Sequence, residues 1–98
     1  MPDSKSITAK EVGARIRSLR EAHHDSQEKL AQTLNVSREL ISKIESGRQY
    51  PSALVLARLS ELYGVSTDYI LFGLSQEKNL TQQLDRVIET LRTIRKSL

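Results

Sequence analysis

The stretch SQEKLAQTLNVSRELISKIESG, residues 26–47, decides the fold of this chain. Apolar side chains recur in it at helical spacing on both sides of Asn35, which predicts two amphipathic helices, 27–34 and 38–46. Ser37 stands where the N-cap of the second helix is expected, and asparagine tolerates the left-handed conformation of a sharp turn better than most residues. A turn this short forces the two helices to cross steeply, so the rest of the chain must supply most of the core.

Three other helices are predicted to complete that core, at 9–22, at 52–63 and in the segment that follows Ser66. Gly13 falls inside the first of them and is expected to be a mild defect. No segment shows the strict alternation of a strand, so the predicted fold class is all-α. The apolar residues expected to point inward are Val12, Ile16, Leu19, Leu30, Ala31, Leu34, Ile41, Ile44, Leu54, Leu56, Leu59, Leu62, Tyr63, Tyr69 and Phe72.

A last amphipathic helix is predicted to begin at Asn79, outside the five that share the core. Its apolar residues are spaced alternately by four and three positions, which is a heptad pattern. They are Leu80, Leu84, Val87, Leu91, Ile94 and Leu98. Three interpretations stay open: a dimer seam, which we favour, docking on a different protein, or folding back over helices of its own chain. Ile88 widens the apolar stripe and supports the last of these.

The composition limits the classes of function. The chain has 98 residues, no cysteine and a formal net charge of +3, which permits a nucleic-acid partner without requiring one. The histidines, His23 and His24, are adjacent and point to different sides of a helix, so no metal site is expected. No glycine-rich phosphate loop or serine–histidine–acid motif is evident, so neither an enzyme nor a cofactor is expected. Without an export signal or an apolar run of membrane-spanning length, the expected location is the cytoplasm.

The second helix of the opening stretch has a polar outer face. Its side chains are Arg38, Glu39, Ser42, Lys43 and Ser46. Arginine and lysine can donate hydrogen bonds to guanine O6 and N7 in a major groove, and glutamate can accept one from cytosine N4. The free N–H groups at the N-termini of both helices suit phosphate oxygens. A polar face that contacts only water would carry similar side chains. The order of motifs around this face therefore has to decide between a DNA-reading face and a solvated one.

The order of the motifs along residues 11–73 resembles the Cro/CI, or Xre-like, family of phage-repressor helix-turn-helix regulators. The matching elements are the RIRSLR segment of the first helix, Gln27, the LA pair at 30–31, VSRELISKIESG at 36–47, Pro51 and LYGVSTD at 62–68. The resemblance implies a five-helix lambda-repressor-like DNA-binding domain over residues 8–73, preceded by a flexible N-terminus, 1–7. Residues 74–98, with the C-terminal helix, lie outside the shared domain.

The resemblance also implies roles for individual residues. Gln27 would bind a phosphate at the edge of the groove, and Arg48 and Tyr50 would grip the DNA backbone after the reading helix. Packing against the following proline is an equal alternative for Tyr50. The reading residues would be Ser37, Arg38, Glu39, Ser42 and Lys43. Arg20 and Glu45 match a pair that forms an internal ion pair in such proteins, so we assign both to structure.

The function expected from this resemblance is a sequence-specific transcriptional regulator, bacterial or phage, and more often a repressor than an activator. It would bind double-stranded operator DNA, an inverted repeat, as a homodimer whose recognition helices lie about 34 Å apart. An alternative is an antitoxin or another interaction module on the same fold, whose C-terminal helix binds a partner protein. A controller of a restriction–modification system is a further variant within the DNA-binding class.

Overall fold

The structure is a computed structural model that describes residues 7–73 and the helix 76–97, with the side chains of residues 84 and 87–96 in that helix. In this part of the chain all regular secondary structure is α-helical. The helices are α1 (Ala9–Ala22), α2 (Gln27–Leu34), α3 (Arg38–Glu45), α4 (Ala53–Tyr63), α5 (Thr67–Phe72) and α6 (Gln76–Ser97). None of the helices described in this way is long and apolar enough to cross a membrane.

Two groups of predictions fall on residues that the structure does not describe. The expected flexible N-terminus, 1–7, lies outside the described residues except for Ile7. The side chains of Leu80 and Leu98, two of the six heptad residues, lie outside them as well.

Each of the first five helices begins at a hydroxyl side chain that caps its backbone. In every case the side-chain oxygen accepts a hydrogen bond from the N–H group three residues further along, which satisfies a free donor of the first turn. The caps are Thr8, Ser26, Ser37, Ser52 and Ser66. The predicted bounds of α1 and α2 are confirmed, whereas α6 begins at Gln76 and not at Asn79. The residues between those two positions are good helix formers, which explains the longer helix.

Helices α1–α5 share one hydrophobic core. Its buried residues are Val12, Ile16, Leu30, Ala31, Leu34, Ile41, Ile44, Val55, Leu59, Tyr63 and Ile70. The residues of α1, α2 and α3 predicted to point inward are confirmed, with Leu19 partly buried at the edge. The side chains of α6 that the structure describes are all exposed and belong to no part of this core.

Three residues predicted to lie in the core are exposed. Leu54, Leu62 and Phe72 expose 59%, 40% and 50% of their surface. The predictions for Leu59 and Tyr63 of α4 are confirmed, and these two residues and Val55 follow each other at steps of four on its buried side. The predictions for Leu54 and Leu62 were wrong because α4 carries leucines on several sides, so leucine positions alone do not identify its buried face.

Helices α1 and α3 lie in close contact at Gly13. A Cβ atom at this buried position would lie 2.1 Å from the carbonyl oxygen of Ile44 and 2.9 Å from that of Glu45. The interpretation of Gly13 as a mild defect was therefore wrong. Because glycine has no side chain, the backbone of α1 can contact the end of α3 directly, and this crossing fixes the orientation of α3 in the domain.

Two arginines hold the C-termini of other helices. Arg15 of α1 donates from Nε to the carbonyl oxygen of Ile70 at 2.8 Å and from Nη2 to that of Leu71 at 2.7 Å. Arg58 of α4 donates from Nη1 to the carbonyl oxygen of Leu34 at 2.9 Å. A helix end leaves its last carbonyl groups without partners in the helix, and a cation also suits the negative end of the helix dipole. These contacts tie α1 to α5 and α4 to α2.

Candidate nucleic-acid interface

Helix α3 presents one side to the core and the other to solvent. On the inner side, Ile41 and Ile44 are each 1% exposed. Fully burying such a side chain contributes about 1.5–3 kcal/mol, so α3 cannot turn about its axis without a large loss of stability. The polar residues on its outer side are Arg38, Glu39, Ser42 and Lys43, of which Ser42 is half-buried and the others are exposed. Their direction is therefore set by the core beneath them.

The turn between α2 and α3 is held by its own residues. Asn35 adopts the left-handed conformation with a φ of 58°, and its N–H group donates back to the last turn of α2. The Ser37 hydroxyl oxygen accepts the N–H of Leu40 at 3.1 Å, which caps α3. A hydroxyl that accepts one hydrogen bond still has its own hydrogen to donate. Exposed Ser37 can thus cap the helix and donate to a ligand at the same time.

Beneath the outer face, Arg20 and Glu45 form a buried ion pair between α1 and α3. Arg20 Nε lies 2.6 Å from Glu45 Oε2, and Arg20 Nη2 donates to Glu45 Oε1 at 2.9 Å. The two residues are 9% and 8% exposed. Because Glu45 accepts both bonds, the pKa of the Arg20 guanidinium is raised above its already high ordinary value. Arg20 therefore keeps its charge at every pH at which proteins are normally studied.

The same carboxylate also holds the first residue of α2. Gln27 Nε2 donates to Glu45 Oε1 at 3.1 Å. An amide nitrogen carries two hydrogens, so the second hydrogen of Nε2 remains available to a further acceptor such as a phosphate oxygen. Glu45 thus fixes the position of Gln27 relative to α3.

The end of α1 is connected to α4 by a second set of polar contacts. Arg20 Nη1 donates to the carbonyl oxygen of Asp25 at 2.7 Å, and the Tyr63 hydroxyl donates to Asp25 Oδ2 at 3.3 Å. Burial raises the pKa of the Tyr63 phenol to about 12, and the neighbouring Asp25 carboxylate adds to that shift. The ring centres of His23 and Tyr63 are 4.6 Å apart. The segment that leads into α2 is therefore anchored from both sides.

The loop after α3 contains two of the residues predicted to grip a DNA backbone. Exposed Arg48 donates from Nε to Ser46 Oγ at 2.9 Å, which leaves the other guanidinium donors for a ligand. The Tyr50 hydroxyl donates to the carbonyl oxygen of Ile7 at 2.8 Å. That bond uses the single proton of the phenol, so Tyr50 holds the chain segment that precedes α1. Neither interpretation from the sequence, a DNA-backbone contact or packing against Pro51, included this role.

Two exposed residues at this edge were not among the predicted site residues. Lys10 lies against the loop, since a Cβ atom at Gly47 would be 2.7 Å from the Lys10 Cα atom. Gln49 is exposed between Arg48 and Tyr50. A contact between α1 and the loop after α3 cannot be recognised from one sequence, and glutamine is common in loops, so neither residue gave a signal.

Comparisons with known proteins agree with this arrangement. A family model described as helix-turn-helix matches residues 16–70. The chain is 33% identical over 73 residues to YonR, an HTH-type transcriptional regulator derived from the SPbeta prophage of Bacillus subtilis, and the match covers 74% of this chain and 68% of that protein. It is 40% identical over 63 residues to the HTH-type transcriptional activator BcrR of Enterococcus faecalis, which covers 64% of this chain and 31% of that protein.

Solved structures show the same fold. The P22 c2 repressor, crystallised in complex with a synthetic operator, matches with a TM-score of 0.61 and 33% identity over 64% of this chain and 96% of its own. The clp gene regulator ClgR of Corynebacterium glutamicum matches with a TM-score of 0.62 and 26% identity over 92% of each chain. The restriction-modification controller protein C.AhdI from Aeromonas hydrophila matches with a TM-score of 0.59 and 25% identity over 64% of this chain and 96% of its own.

The five packed helices and the polar outer face of α3 thus define an all-α helix-turn-helix protein with the lambda-repressor-like fold. The chain belongs to the Cro/CI, or Xre-like, type of this family, whose members are DNA-binding transcriptional regulators. The fold class and the family expected from the sequence are confirmed.

Proposed function

We propose that this protein is a sequence-specific regulator that binds an inverted-repeat operator as a homodimer and represses transcription by occupying it. The observation that carries the proposal is the outer face of α3, where Arg38, Glu39 and Lys43 are exposed on a helix locked into the core. The P22 c2 repressor, whose fold this chain shares, was solved in complex with a synthetic operator. The protein would act in the cytoplasm, on double-stranded DNA.

In this proposal the polar residues divide into base readers and backbone contacts. Arg38 and Lys43 donate to guanine edges, and Glu39 accepts from cytosine N4, since these are the pairings that the major groove favours. Ser37 and Ser42 lie beside them on the same helix. Gln27, with its remaining amide hydrogen, and Arg48, with its remaining guanidinium donors, bind phosphates and set the register of α3.

The homodimer supplies the two-fold symmetry that an inverted repeat requires. The described heptad side chains of α6 are exposed, so they are available to a second copy of the chain. They would pair across the seam together with the two heptad leucines outside the described side chains. Repression then follows from steric occupancy, because a dimer that covers an operator overlapping a promoter excludes the polymerase.

Selection of binding sites from a random DNA pool, followed by titration of the winning site against salt, tests the proposal. We expect an enriched inverted repeat whose half-site centres lie about 10 base pairs apart. The logarithm of the affinity should fall with the logarithm of salt concentration, with a slope of about −0.9 for each phosphate contact. A pool without enrichment, bound only weakly and in a salt-sensitive way, would show that the fold serves protein contacts instead.

Replacing Arg38 or Lys43 with alanine is expected to weaken binding to the selected operator by about 1–3 kcal/mol each, or roughly 5- to 150-fold. Both side chains are exposed, so the urea midpoint should change little. Lys96→Ala on α6 removes the same charge far along the chain from α3 and is the matched control. A variant of Arg38 or Lys43 with a much lower urea midpoint would show that the residue is structural.

A second candidate is a helix-turn-helix protein whose α6 binds a partner protein, as in an antitoxin. The observation that favours it is the exposed apolar stripe of α6, which helices α1–α5 leave uncovered in the described residues. Purification of the protein from its native source would discriminate the two. A second small protein, recovered in equal amount and lost when Leu91 is changed to Asp, would favour the partner over self-association.

A further inference from the structure

Helix α6 exposes large apolar side chains along its length. Leu84, Val87, Ile88, Leu91 and Ile94 are 55%, 55%, 45%, 59% and 52% exposed. An uncovered helix is only marginally stable in water, and a continuous apolar stripe gains most of its stability from burial against another surface.

The heptad register of α6 follows from its spacing. In a heptad the step from position a to position d is three residues, and the step from d to the next a is four. Leu84 and Val87 are three apart, and Val87 and Leu91 are four apart, so leucines 84, 91 and 98 occupy a. Positions d hold Leu80, Val87 and Ile94. Over these six sequence positions, leucine occupies every a and a β-branched residue occupies two of the three d positions.

This distribution disfavours a two-stranded parallel coil. In such a coil β-branched residues pack well at a and leucine packs well at d, whereas leucine at a with isoleucine at d shifts the preference to more strands. The residues of α6 match the second arrangement, with leucine at a and mostly β-branched residues at d. The apolar residues alone therefore argue for an assembly larger than a pair of helices.

The width of the stripe points the same way. Ile88 occupies position e, next to the seam, and makes the apolar face cover three of seven positions in the middle heptad. A face of that width is typical of a helix in a bundle, whereas a two-stranded seam uses a and d alone. In a bundle of four helices, Ile88 faces the neighbouring helix and is buried there.

The flanking positions fit copies of the same chain. Positions e hold Thr81, Ile88 and Arg95, and positions g hold Gln83, Thr90 and Ser97. Between parallel helices, position g of one faces position e of the next, so Arg95 meets Thr90 and no two like charges face each other. A different partner protein is usually selected by complementary charges at these positions, and α6 carries a single charge among the six.

We propose that α6 joins four copies of this chain in a parallel four-helix bundle. The inference rests on the proposed use of α6 for self-association and extends it from two copies to four. Four DNA-binding domains then leave the same end of the bundle, which is enough for two operator-bound pairs. One assembly could hold two operators together.

Sedimentation equilibrium of the full chain without DNA tests the number of copies. We expect a molar mass four times that of one chain. Ile88→Gln, which narrows the stripe to a and d, should lower that mass below four chains. Glu89→Gln, at the exposed position f next to it, is the matched control and should leave four copies. A monomeric, dimeric or trimeric full chain would overturn the proposal.

An exchange of residues between a and d tests the register without removing apolar surface. The variant with Leu84→Ile, Val87→Leu, Leu91→Ile and Ile94→Leu should be a dimer with unchanged helical circular dichroism. If the full chain has four copies and neither this variant nor Ile88→Gln changes the number, another surface holds them together. Operator selection is measured separately: a dimer that still selects an inverted repeat would refute the bundle and leave the proposed function standing.

Discussion

Replacing Glu45 with alanine is expected to lower the free energy of unfolding by about 3–5 kcal/mol, because it leaves the Arg20 guanidinium buried without its partner. Arg20 is 9% exposed, and its pKa lies too high for it to escape by losing its proton. A domain of this kind has about 5–15 kcal/mol of stability in all, so the loss would be a large part of the total. Urea unfolding followed by circular dichroism at neutral pH measures it.

Three further variants show whether the lost free energy belongs to the buried pair. Glu21→Ala breaks the exposed pair of Arg17 and Glu21, whose side chains are 62% and 56% exposed, and should cost less than about 1 kcal/mol. Glu45→Gln keeps the shape of the side chain and one acceptor oxygen. Its loss of unfolding free energy should lie between those of Glu45→Ala and Glu21→Ala. The double variant Arg20→Met with Glu45→Leu removes both charges and should be more stable than Glu45→Ala. Equal losses in Glu45→Ala and Glu21→Ala would contradict the structural assignment.

Replacing Gly13 with alanine is expected to lower the free energy of unfolding by about 3 kcal/mol, at the upper end of the usual cost of overpacking. Alanine is intrinsically better than glycine in a helix by about 1 kcal/mol, so propensity alone predicts the opposite sign. The steric clash outweighs the helix propensity, because the new Cβ would lie 2.1 Å from a backbone oxygen, whereas ordinary van der Waals contact begins at 3.4 Å. Neither helix backbone can give way locally, so α1 and α3 must separate. Thermal unfolding should show a fall of about 12–24 °C.

Two other substitutions separate the clash from the general effects of alanine. Ser18→Ala lies on the exposed side of α1 and should raise the stability slightly. Gly64 has a φ of 65° and nothing within 4 Å of the place where a Cβ would lie. Gly64→Ala should therefore lower the free energy of unfolding only by the strain of alanine in the left-handed conformation, about 1–2 kcal/mol. If Gly13→Ala were as stable as Ser18→Ala, the close crossing of α1 and α3 would be refuted.

Local signals were enough to predict where the first helices begin and which side of α3 faces inward. Thr8 and Ser26 are hydroxyl caps directly before amphipathic segments, so the bounds of α1 and α2 follow from the sequence. The prediction failed for Leu54 and Leu62 of α4, because the buried side of this helix is set by which of its several apolar faces meets α2 and α5. Phe72 is the last residue of α5, where no periodicity remains to show which side is covered.

The candidate site could be predicted only in part, because some of its contacts join residues that are far apart in the chain. The polar character of Arg38 and Lys43 is visible in the sequence, and their place opposite two isoleucines makes them point outward. The bond from Tyr50 to Ile7, the contact of Lys10 with Gly47 and the hold of Arg15 on Ile70 join residues far apart in the chain. One sequence gives no signal for such pairs. The DNA contacts of the named residues stay predictions.

The bond between Gln27 and Glu45 has a consequence for how a duplex must fit this protein. Because Glu45 belongs to α3 and Gln27 begins α2, this bond links the amide that would hold a phosphate directly to the helix that would read bases. If the protein cannot adjust the spacing between them, the double helix has to bend or twist to meet it. The energy of that deformation depends on base steps that no side chain touches. The operator would then be selected in part by its flexibility, at the base pairs between its two halves.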